Sequence, residues 1–209
     1  MSSQLFPAFL KLAGRKVILV GGGNVAKAKL AALVEAGADV TVVAPEIHPE
    51  IERTGVSILR RPFESVDLDG AWFVVAAAPP AVNRLVGQAA DERRLFVNAV
   101  DDPANATAYL GGVLRRAGVT VAVSTDGRAP ALAGLLREAL DALLPSDLDA
   151  WLEAAEDLRR NWKASGVPIE QRRPQLLEAL IRLYEPRVEH NEPSTPDPSV
   201  GRSNESRDT

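Results

Sequence analysis

The chain has 209 residues, a formal net charge of −4 and 46% hydrophobic residues, which suits one sizeable domain with appendages and argues against nucleic acid as the main partner. Cysteine is absent and histidine occurs only as His48 and His190, which excludes disulfides, thiolate nucleophiles and a three-histidine zinc site. No stretch approaches the roughly 18 consecutive apolar residues of a membrane helix and no signal-peptide pattern opens the chain, so we expect a cytoplasmic protein with no membrane partner.

The first part of the chain predicts alternating strands and helices. Residues 16–20, KVILV, are a β-branched run followed at once by GGG, which is typical of a buried strand entering a tight turn. The segment that follows has helical periodicity and ends near Gly37, a suitable helix stop. A second strand is predicted over 39–46, and a third strand with its loop over 55–64.

The middle of the chain continues the alternation. Residues 71–79, AWFVVAAAP, and residues 96–100, FVNAV, are continuous apolar runs, and residues 81–95 between them repeat apolar side chains at helical spacing. Strands that are apolar on both faces indicate a mostly parallel sheet covered by helices. The predicted fold class is therefore α/β.

The pattern changes after the last of these strands. The stretch GGVLRRAGVTVAVS predicts a strand, a turn and a second strand over 119–124, and a helix follows. One face of that helix comprises Leu132, Leu135, Leu136, Ala139 and Leu143. Two further helices are predicted over 147–162 and 174–184. From about residue 187 the chain is rich in Pro, Ser, Asn and charge, which predicts a disordered tail without a role in chemistry.

Residues 20–26, VGGGNVA, carry the pattern Gly21-x-Gly23-x-x-Ala26 between the first predicted strand and helix. In a dinucleotide-binding turn, Gly21 permits the tight turn, Gly23 lets the backbone approach a pyrophosphate and Ala26 allows close packing of helix on strand. Free N–H groups at the helix start then face the phosphates. The alternative is a glycine-rich turn that merely packs tightly.

An acidic residue, Glu46, lies 23 positions after Gly23, at the end of the second predicted strand. A carboxylate there accepts hydrogen bonds from the adenosine ribose hydroxyls of a dinucleotide. No Arg or Lys lies within VVAPEIHPE to receive a 2′-phosphate, so NAD is favoured over NADP. The alternative is a solvated loop acid beside Pro45.

Two carboxylates, Asp101 and Asp102, follow the predicted strand over 96–100 in the stretch VNAVDDP. Ligands of parallel sheets bind outside the carboxyl ends of the strands. A carboxylate there could face the nicotinamide end of a cofactor and take a proton while a hydride leaves the substrate. The alternative, an Asp-Asp-Pro turn, is the simpler interpretation of the spacing alone.

The stretch VAVSTDGRAP puts Ser124, Thr125 and Arg128 in a strand-to-helix loop. Hydroxyls, free N–H groups and a guanidinium suit an anionic ligand. The alternative is helix capping, which Ser and Thr perform routinely. His48 is predicted to be a surface loop residue rather than a ligand.

Three stretches taken together resemble one family: LFPAFLKLAGRKVILVGGGNVAKAKLAALVEAGADVTVVAPE, VNAVDDP and VAVSTDGRAPALAGLLREALDALLP. They are similar to the siroheme synthase N-terminal module, a precorrin-2 dehydrogenase that in some members is also the sirohydrochlorin ferrochelatase. The resemblance runs from about residue 4 to 145. It implies NAD-dependent removal of a hydride and a proton from precorrin-2 to give sirohydrochlorin, in siroheme or cobalamin biosynthesis. In bifunctional members, Fe²⁺ is then inserted as a substrate rather than held at a stored metal site.

The resemblance also implies an organisation: an NAD-binding Rossmann domain over 1–110, a small α/β dimerisation domain over 111–145 and a helical C-terminal segment over 146–186, ahead of the tail at 187–209. The protein would be a homodimer whose dimerisation segments contribute to both active sites. Together with the residues themselves, the resemblance gives one catalytic acid/base, Asp101. The cofactor-binding residues would be Gly21, Gly22, Gly23, Asn24, Val25, Pro45 and Glu46, and the substrate-binding residues Asn98, Ser124, Thr125 and Arg128.

Five positions depart from the family pattern: Ala28, Ala78, Pro79, Ala129 and Gly134. Other members often carry arginine at the positions of Ala28 and Gly134, so this chain is expected to handle substrate carboxylates differently. Two other functions stay open on the sequence: a chelatase without dehydrogenase activity, and a non-catalytic NAD-sensing Rossmann module.

Overall fold

A computed structural model describes residues 4–185; the predicted disordered tail over 187–209 lies outside them. Five strands form the main sheet: β1 (Lys16–Val20), β2 (Asp39–Val43), β3 (Ser57–Leu59), β4 (Phe73–Ala76) and β5 (Phe96–Ala99). All neighbouring strands are parallel, and their order is β3-β2-β1-β4-β5. The predicted α/β class with a mostly parallel sheet is confirmed.

The strand order reverses at the centre of this sheet, between β1 and β4. Chain connections from these two strands run to opposite sides, which opens a crevice at their carboxyl ends, the place where such sheets bind ligands. Three helices connect the strands: α1 (Asn24–Glu35), α2 (Pro49–Glu52) and α3 (Pro80–Glu92). The sheet therefore presents a crevice beside the start of α1.

The two faces of the sheet carry separate apolar clusters. On one face, Ile18 of β1 and Val74 of β4 pack with residues of α3 such as Val86. On the other, Leu19 and Val75 pack with residues of α1. Because side chains alternate along a strand, continuous apolar strands are required to fill both layers. This explains the unbroken hydrophobic runs in the sequence.

Glycine and proline set several element boundaries. α1 ends just before Gly37, whose φ of +72° suits glycine and whose N–H donates to the carbonyl of Val34 at 2.9 Å. β2 ends at Val43 rather than at Glu46, since Pro45 has no N–H to continue the ladder. The predicted helix stop agrees with the structure, and the predicted second strand was too long.

An ion pair between the buried Asp67 and the partly exposed Arg61 stabilises the segment between β3 and β4. Arg61 donates two hydrogen bonds to Asp67, at 2.9 and 2.5 Å, and the N–H of Glu64 donates to Asp67 Oδ2 at 2.9 Å. Burial raises the pKa of the Asp67 carboxyl, but the hydrogen bonds from Arg61 and Glu64 outweigh burial and hold that pKa below its ordinary value. The same pairing raises the pKa of Arg61. The pair fixes the chain between β3 and β4.

Beyond the sheet lies an antiparallel hairpin of β6 (Gly112–Arg116) and β7 (Val119–Val123), followed by α4 (Pro130–Leu143). The hairpin packs on α4 through Gly112, where an added Cβ would come 3.1 Å from the carbonyl oxygen of Ala133. Ala133 is the buried residue of α4, whereas the predicted leucine face is exposed. The leucines share a face, as predicted, but that face does not supply the buried contact.

One compact unit of the chain ends at Ser146, and a second begins at Asp147. In the second unit, α5 (Leu148–Ser165) and α6 (Ile169–Arg182) pack as a helical pair. The indole N–H of Trp151 donates to the hydroxyl of Tyr184 at 2.7 Å. α6 starts earlier than the predicted helix over 174–184, with Pro174 inside it. No helix among residues 4–185 has both the length and the apolar character needed to cross a membrane.

Candidate functional site

The glycine loop between β1 and α1 is fixed by close backbone contacts. Gly21 has a φ of +124°, and its N–H donates to the carbonyl of Val43 at 2.9 Å. An added Cβ at Gly21 would lie 2.2 Å from the carbonyl oxygen of Ala77, and one at Gly22 would lie 2.0 Å from that of Glu46. Side chains are therefore sterically excluded from both positions, since the loop is wedged between the segments after β2 and β4.

Gly23 differs from the two glycines before it. No heavy atom lies within 4 Å of a Cβ built there, and Gly23 is the N-cap of α1 without a side-chain cap. The first turn of α1 holds no acidic residue, and Asn24 and Val25 are exposed. The uncapped N–H groups and the positive end of the helix dipole face open space, which fits the pyrophosphate of a dinucleotide.

The loop after β2 lies against the glycine loop. Pro45 and Glu46 are both exposed, and the N–H of His48 donates to the carbonyl of Gly22 at 2.8 Å. The Glu46 side chain is thus on the segment that borders the start of α1, where an adenosine ribose is bound in such folds. His48 is the N-cap of α2, and its Nδ1 accepts from the N–H of Glu50 at 3.1 Å.

Asp101 occupies a strained turn directly after β5. Its φ is +55°, in the left-handed region that Asp tolerates better than most residues, and its side chain is exposed. Among residues 4–185, Asp101 has no hydrogen bond or ion pair, whereas the carboxylate of Asp102 accepts from Asn105 Nδ2 at 2.8 Å. The first aspartate is free to meet a ligand, and the second is held by its neighbour.

The first turn of α1, through Val25, and the turn at Asp101 border one open cleft of about 480 Å³ at the carboxyl edge of the sheet, whereas Gly21, Gly22, Gly23, Asn24, Pro45 and Glu46 are not among its lining residues. Its lining comprises Val25 from α1, Ala77, Ala78, Pro80, Asn83 and Arg84 from the β4–α3 segment, and Val100, Asp101, Asp102 and Asn105 from the segment after β5. The start of the dinucleotide-type helix and the free carboxylate therefore border the same space. A hydride acceptor and a proton acceptor can be brought together on one substrate there.

Three residues missed on the sequence build the wall of this cleft. The buried Asn83 side chain accepts from the N–H of Ala78 at 3.1 Å, which fixes the segment after β4. Gly87 lets the turn after β5 approach α3, because an added Cβ would lie 3.2 Å from both Cβ and the carbonyl oxygen of Asn105. A glycine inside a helix was the available signal for this close approach.

Asn98 is not among the residues that line the cleft. Its side chain is buried on β5, where Nδ2 donates to the carbonyl of Ala108 at 2.9 Å. Thr107 supports the same segment, since its hydroxyl accepts from the N–H of Val97 at 2.9 Å. These contacts hold the chain that leads from β5 to the hairpin, and substrate binding by Asn98 stays a prediction.

Ser124 and Thr125 make local capping contacts. The Ser124 hydroxyl accepts from the N–H of Asp126, and the Thr125 hydroxyl accepts from that of Ala129, each at 3.1 Å. The side chain of Arg128 is 83% exposed and lies 3.9 Å from Asp126. The capping alternative thus describes the two hydroxyls, and none of the three lines the cleft.

The loop over 124–128 nevertheless lies next to the turn that carries Asp101 and Asp102, which we call the aspartate turn. A Cβ added at Gly127 would meet the ring of Tyr109 at 3.3 Å and Pro103 at 3.8 Å. The hydroxyl and guanidinium groups of this loop stay candidates for substrate binding.

The five departures from the family pattern lie in different surroundings. Ala78 lines the cleft, and Ala129 is the N-cap of α4. Ala28 and Pro79 are exposed, and no heavy atom lies within 4 Å of a Cβ built at Gly134. A longer side chain at position 28 or 134 would therefore enter open space.

No group of three or more metal-ligating side chains lies close together among residues 4–185.

Comparison with known proteins links this geometry to a family. A family model described as "Putative NAD(P)-binding" matches residues 8–112, which span the parallel sheet and the cleft. Siroheme synthase 3 of Aeromonas hydrophila is 42% identical over 172 residues, which cover 80% of this chain and 37% of that protein. Siroheme synthase 1 of Aeromonas salmonicida is 42% identical over 180 residues, which cover 84% of this chain and 38% of that protein.

The chain belongs to the siroheme synthase N-terminal module family. A solved structure of SirC, a precorrin-2 dehydrogenase, has the same fold, with a TM-score of 0.65 and 26% identity over 83% of this chain and 88% of that chain. The predicted family, the fold class and the NAD cofactor are confirmed. The chain spans less than two-fifths of the length of the siroheme synthases it matches.

Proposed function

We propose that this chain is an NAD-dependent dehydrogenase that oxidises precorrin-2 to sirohydrochlorin. The observation that carries the proposal is the unpaired Asp101 carboxylate in the same cleft as the uncapped start of α1. SirC, a precorrin-2 dehydrogenase, shares the fold. A sensor module would need a dinucleotide site but no free carboxylate beside it.

We assign cofactor binding to the glycine loop and the loop after β2, and proton transfer to Asp101 in the cleft. The glycine loop and the first turn of α1 hold the cofactor pyrophosphate, and Glu46 accepts hydrogen bonds from the ribose hydroxyls. When bound, NAD⁺ would supply the hydride acceptor for the reaction. Asp101 takes the proton that leaves carbon as the new double bond forms in the substrate, so precorrin-2 loses one hydride and one proton. Pro45 shapes the ribose end of the site.

The substrate carries many carboxylates, which suits contacts with cationic and hydroxyl side chains. We assign Ser124, Thr125 and Arg128 to the outer part of the substrate site, beside the aspartate turn. We assign Asn98 to the same substrate site, where its side chain holds the segment between β5 and the hairpin through the carbonyl of Ala108.

An anaerobic absorption spectrum tests the proposal directly. The protein is mixed with precorrin-2, scanned without NAD⁺, then with NAD⁺ and finally with Fe²⁺ or Co²⁺. The proposal requires conversion to sirohydrochlorin that depends on NAD⁺, and no conversion with NAD⁺ overturns it. A further change on adding Fe²⁺, faster than without protein, would establish the predicted ferrochelatase. Metal insertion into supplied sirohydrochlorin in a separate sample without NAD⁺, by a protein that does not oxidise precorrin-2, would identify a chelatase without dehydrogenase activity.

A homodimer is the second part of the proposal. α4 exposes a continuous apolar face, in which Leu135 is 64% and Leu143 is 79% exposed. Unpartnered apolar faces of this kind are typical of protein interfaces. A second copy of α4 supplies a matching face, because a two-fold interface brings the same surface from both subunits together. The predicted cytoplasmic location stays a prediction.

A further inference from the structure

One cationic side chain, Arg84, lies in the cleft beside Asp101. It belongs to the second turn of α3, is exposed, and lines the cleft with both aspartates. Among residues 4–185 it makes no hydrogen bond or ion pair. Arg93, on the same chain segment, by contrast binds Asp69 at 2.9 Å. The guanidinium of Arg84 is therefore available to a ligand.

The position of Arg84 is fixed by the contacts of its helix. Its neighbour Asn83 is buried and binds the N–H of Ala78, which holds the start of α3. Gly87, one turn further on, lies close to Asn105, since a Cβ added at Gly87 would come 3.2 Å from the Asn105 Cβ. Residues three apart share a helix face, so Arg84 emerges on the side of α3 that carries the aspartate turn.

The cleft thus contains a carboxylate and a guanidinium that are not paired with each other. Both charges are solvated in the free protein, and each can bind a group of opposite character on a ligand without first breaking an internal ion pair. The Asp101 carboxylate can accept a proton that leaves carbon. Arg84 suits a carboxylate, which guanidinium binds through two parallel hydrogen bonds.

We propose that Arg84 binds a peripheral carboxylate of the tetrapyrrole substrate and so sets which carbon faces Asp101. The inference rests on the proposed dehydrogenase function and deepens it by naming a substrate-positioning residue. It differs from the sequence prediction of Arg128, which lies on the neighbouring loop and outside the cleft lining.

The test compares three variants: Arg84→Gln, which removes the charge; Arg84→Lys, which retains it; and Arg94→Gln as a matched control. Arg94 is also exposed but precedes β5, at the opposite end of the sheet from the cleft. Loss of one charge-assisted contact is expected to raise KM for precorrin-2 about tenfold in Arg84→Gln. KM for NAD⁺ stays unchanged, Arg84→Lys recovers part of the loss, and Arg94→Gln behaves as wild type.

A titration with sirohydrochlorin in the absence of NAD⁺ separates this inference from the proposed function. Weaker binding by Arg84→Gln than by wild type is expected whether or not turnover occurs. Equal affinity, or no binding by wild type, overturns the role of Arg84. A rise in KM for NAD⁺ alone would assign the guanidinium to a cofactor phosphate and also overturns it. Failure of wild type to oxidise precorrin-2 contradicts only the dehydrogenase proposal.

Discussion

The parallel sheet over 16–99 and the hairpin with α4 over 112–143 are built from similarly apolar sequences but differ in what covers them. In the sheet, central residues such as Val17 and Val75 are 0% exposed. In the second region, Leu114 and Ala133 are the only buried hydrophobic residues, and the leucines of α4 face outward. The sheet completes its core within one chain, and the hairpin region does not.

This difference separates two requirements of the proposed enzyme. Helices on both faces make the sheet self-sufficient, and its strand order alone creates the cofactor crevice. A two-stranded hairpin is marginally stable by itself, and the packing of this hairpin on α4 buries only Leu114 and Ala133 among the hydrophobic residues of 112–143. The aspartate turn lies between the two regions, so the site depends on both.

The largest expected effect is on dimer formation through the hairpin region over 112–143, whose apolar residues are mostly exposed. Leu135→Glu would place a carboxylate from each subunit in the proposed α4 interface, which weakens the dimer by about 5 kcal/mol. Light scattering after size exclusion should give a dimer for wild type and a monomer for the variant. Val34→Glu, at an exposed apolar position of α1, is the control and should stay dimeric. A monomeric wild type, or a dimeric Leu135→Glu, would show that α4 is covered in another way.

The next largest effect is on catalysis by Asp101, which lies in the turn between the parallel sheet and the hairpin. Asp101→Asn removes the proton acceptor but suits the same left-handed backbone, so kcat should fall about a thousandfold, or about 4 kcal/mol, with KM for NAD⁺ unchanged. Asp102→Asn is the matched control. Its carboxylate is already engaged by Asn105, so the loss should be at most about tenfold. Equal losses in steady-state assays of both variants would contradict a special role for Asp101.

Much of the parallel-sheet region could be predicted from the sequence, because buried strands and glycine turns are recognisable from a few adjacent residues. A strand buried on both faces must be apolar throughout, as KVILV and FVV are. The turn at Gly21 to Gly23 needs residues without side chains, so the glycines stand out. The hairpin region was harder, since periodicity identifies the leucine face of α4 but not what covers it.

The cleft shows the same limit. The end of a predicted strand pointed to Asp101 and Asp102 together, and the family resemblance selected Asp101 as the acid/base. Gly87 and Asn105 were missed, since their contact joins residues far apart in the sequence. Arg84 carried no signal of its own, because a single arginine on a helix is usually solvated. Pairing across the fold, which one sequence does not reveal, gives these residues their place.

Substitutions at two adjacent glycines, Gly22 and Gly23, should separate an effect on stability from an effect on cofactor binding. Gly22→Ala forces a Cβ against the carbonyl of Glu46 and should lower the free energy of unfolding by about 2 kcal/mol. Gly23→Ala meets no protein atom, so the melting temperature should stay unchanged while KM for NAD⁺ rises. Thermal melts and NAD⁺ titrations of both variants give the comparison. Equal destabilisation would mean that the space beside Gly23 is filled by the protein itself.

The smallest expected effect concerns how the stability of the parallel-sheet region depends on pH. Because the pKa of Asp67 is lowered in the folded state, its ion pair contributes stability above the ordinary Asp pKa of about 3.9 and loses it as the pH falls through the lower folded value. Arg61 is about one-third exposed, so we expect Asp67→Asn to cost only about 1 kcal/mol at pH 7.

Urea unfolding between pH 7 and pH 3 measures this effect. The difference between wild type and Asp67→Asn should shrink only below about pH 4. Asp69→Asn is the control, since its pair with Arg93 is largely exposed and should contribute at most a few tenths of a kcal/mol. A difference that persists unchanged at pH 3 would show that Asp67 acts through packing or hydrogen bonding that does not need its charge. The pH dependence of this region would then come from other carboxylates.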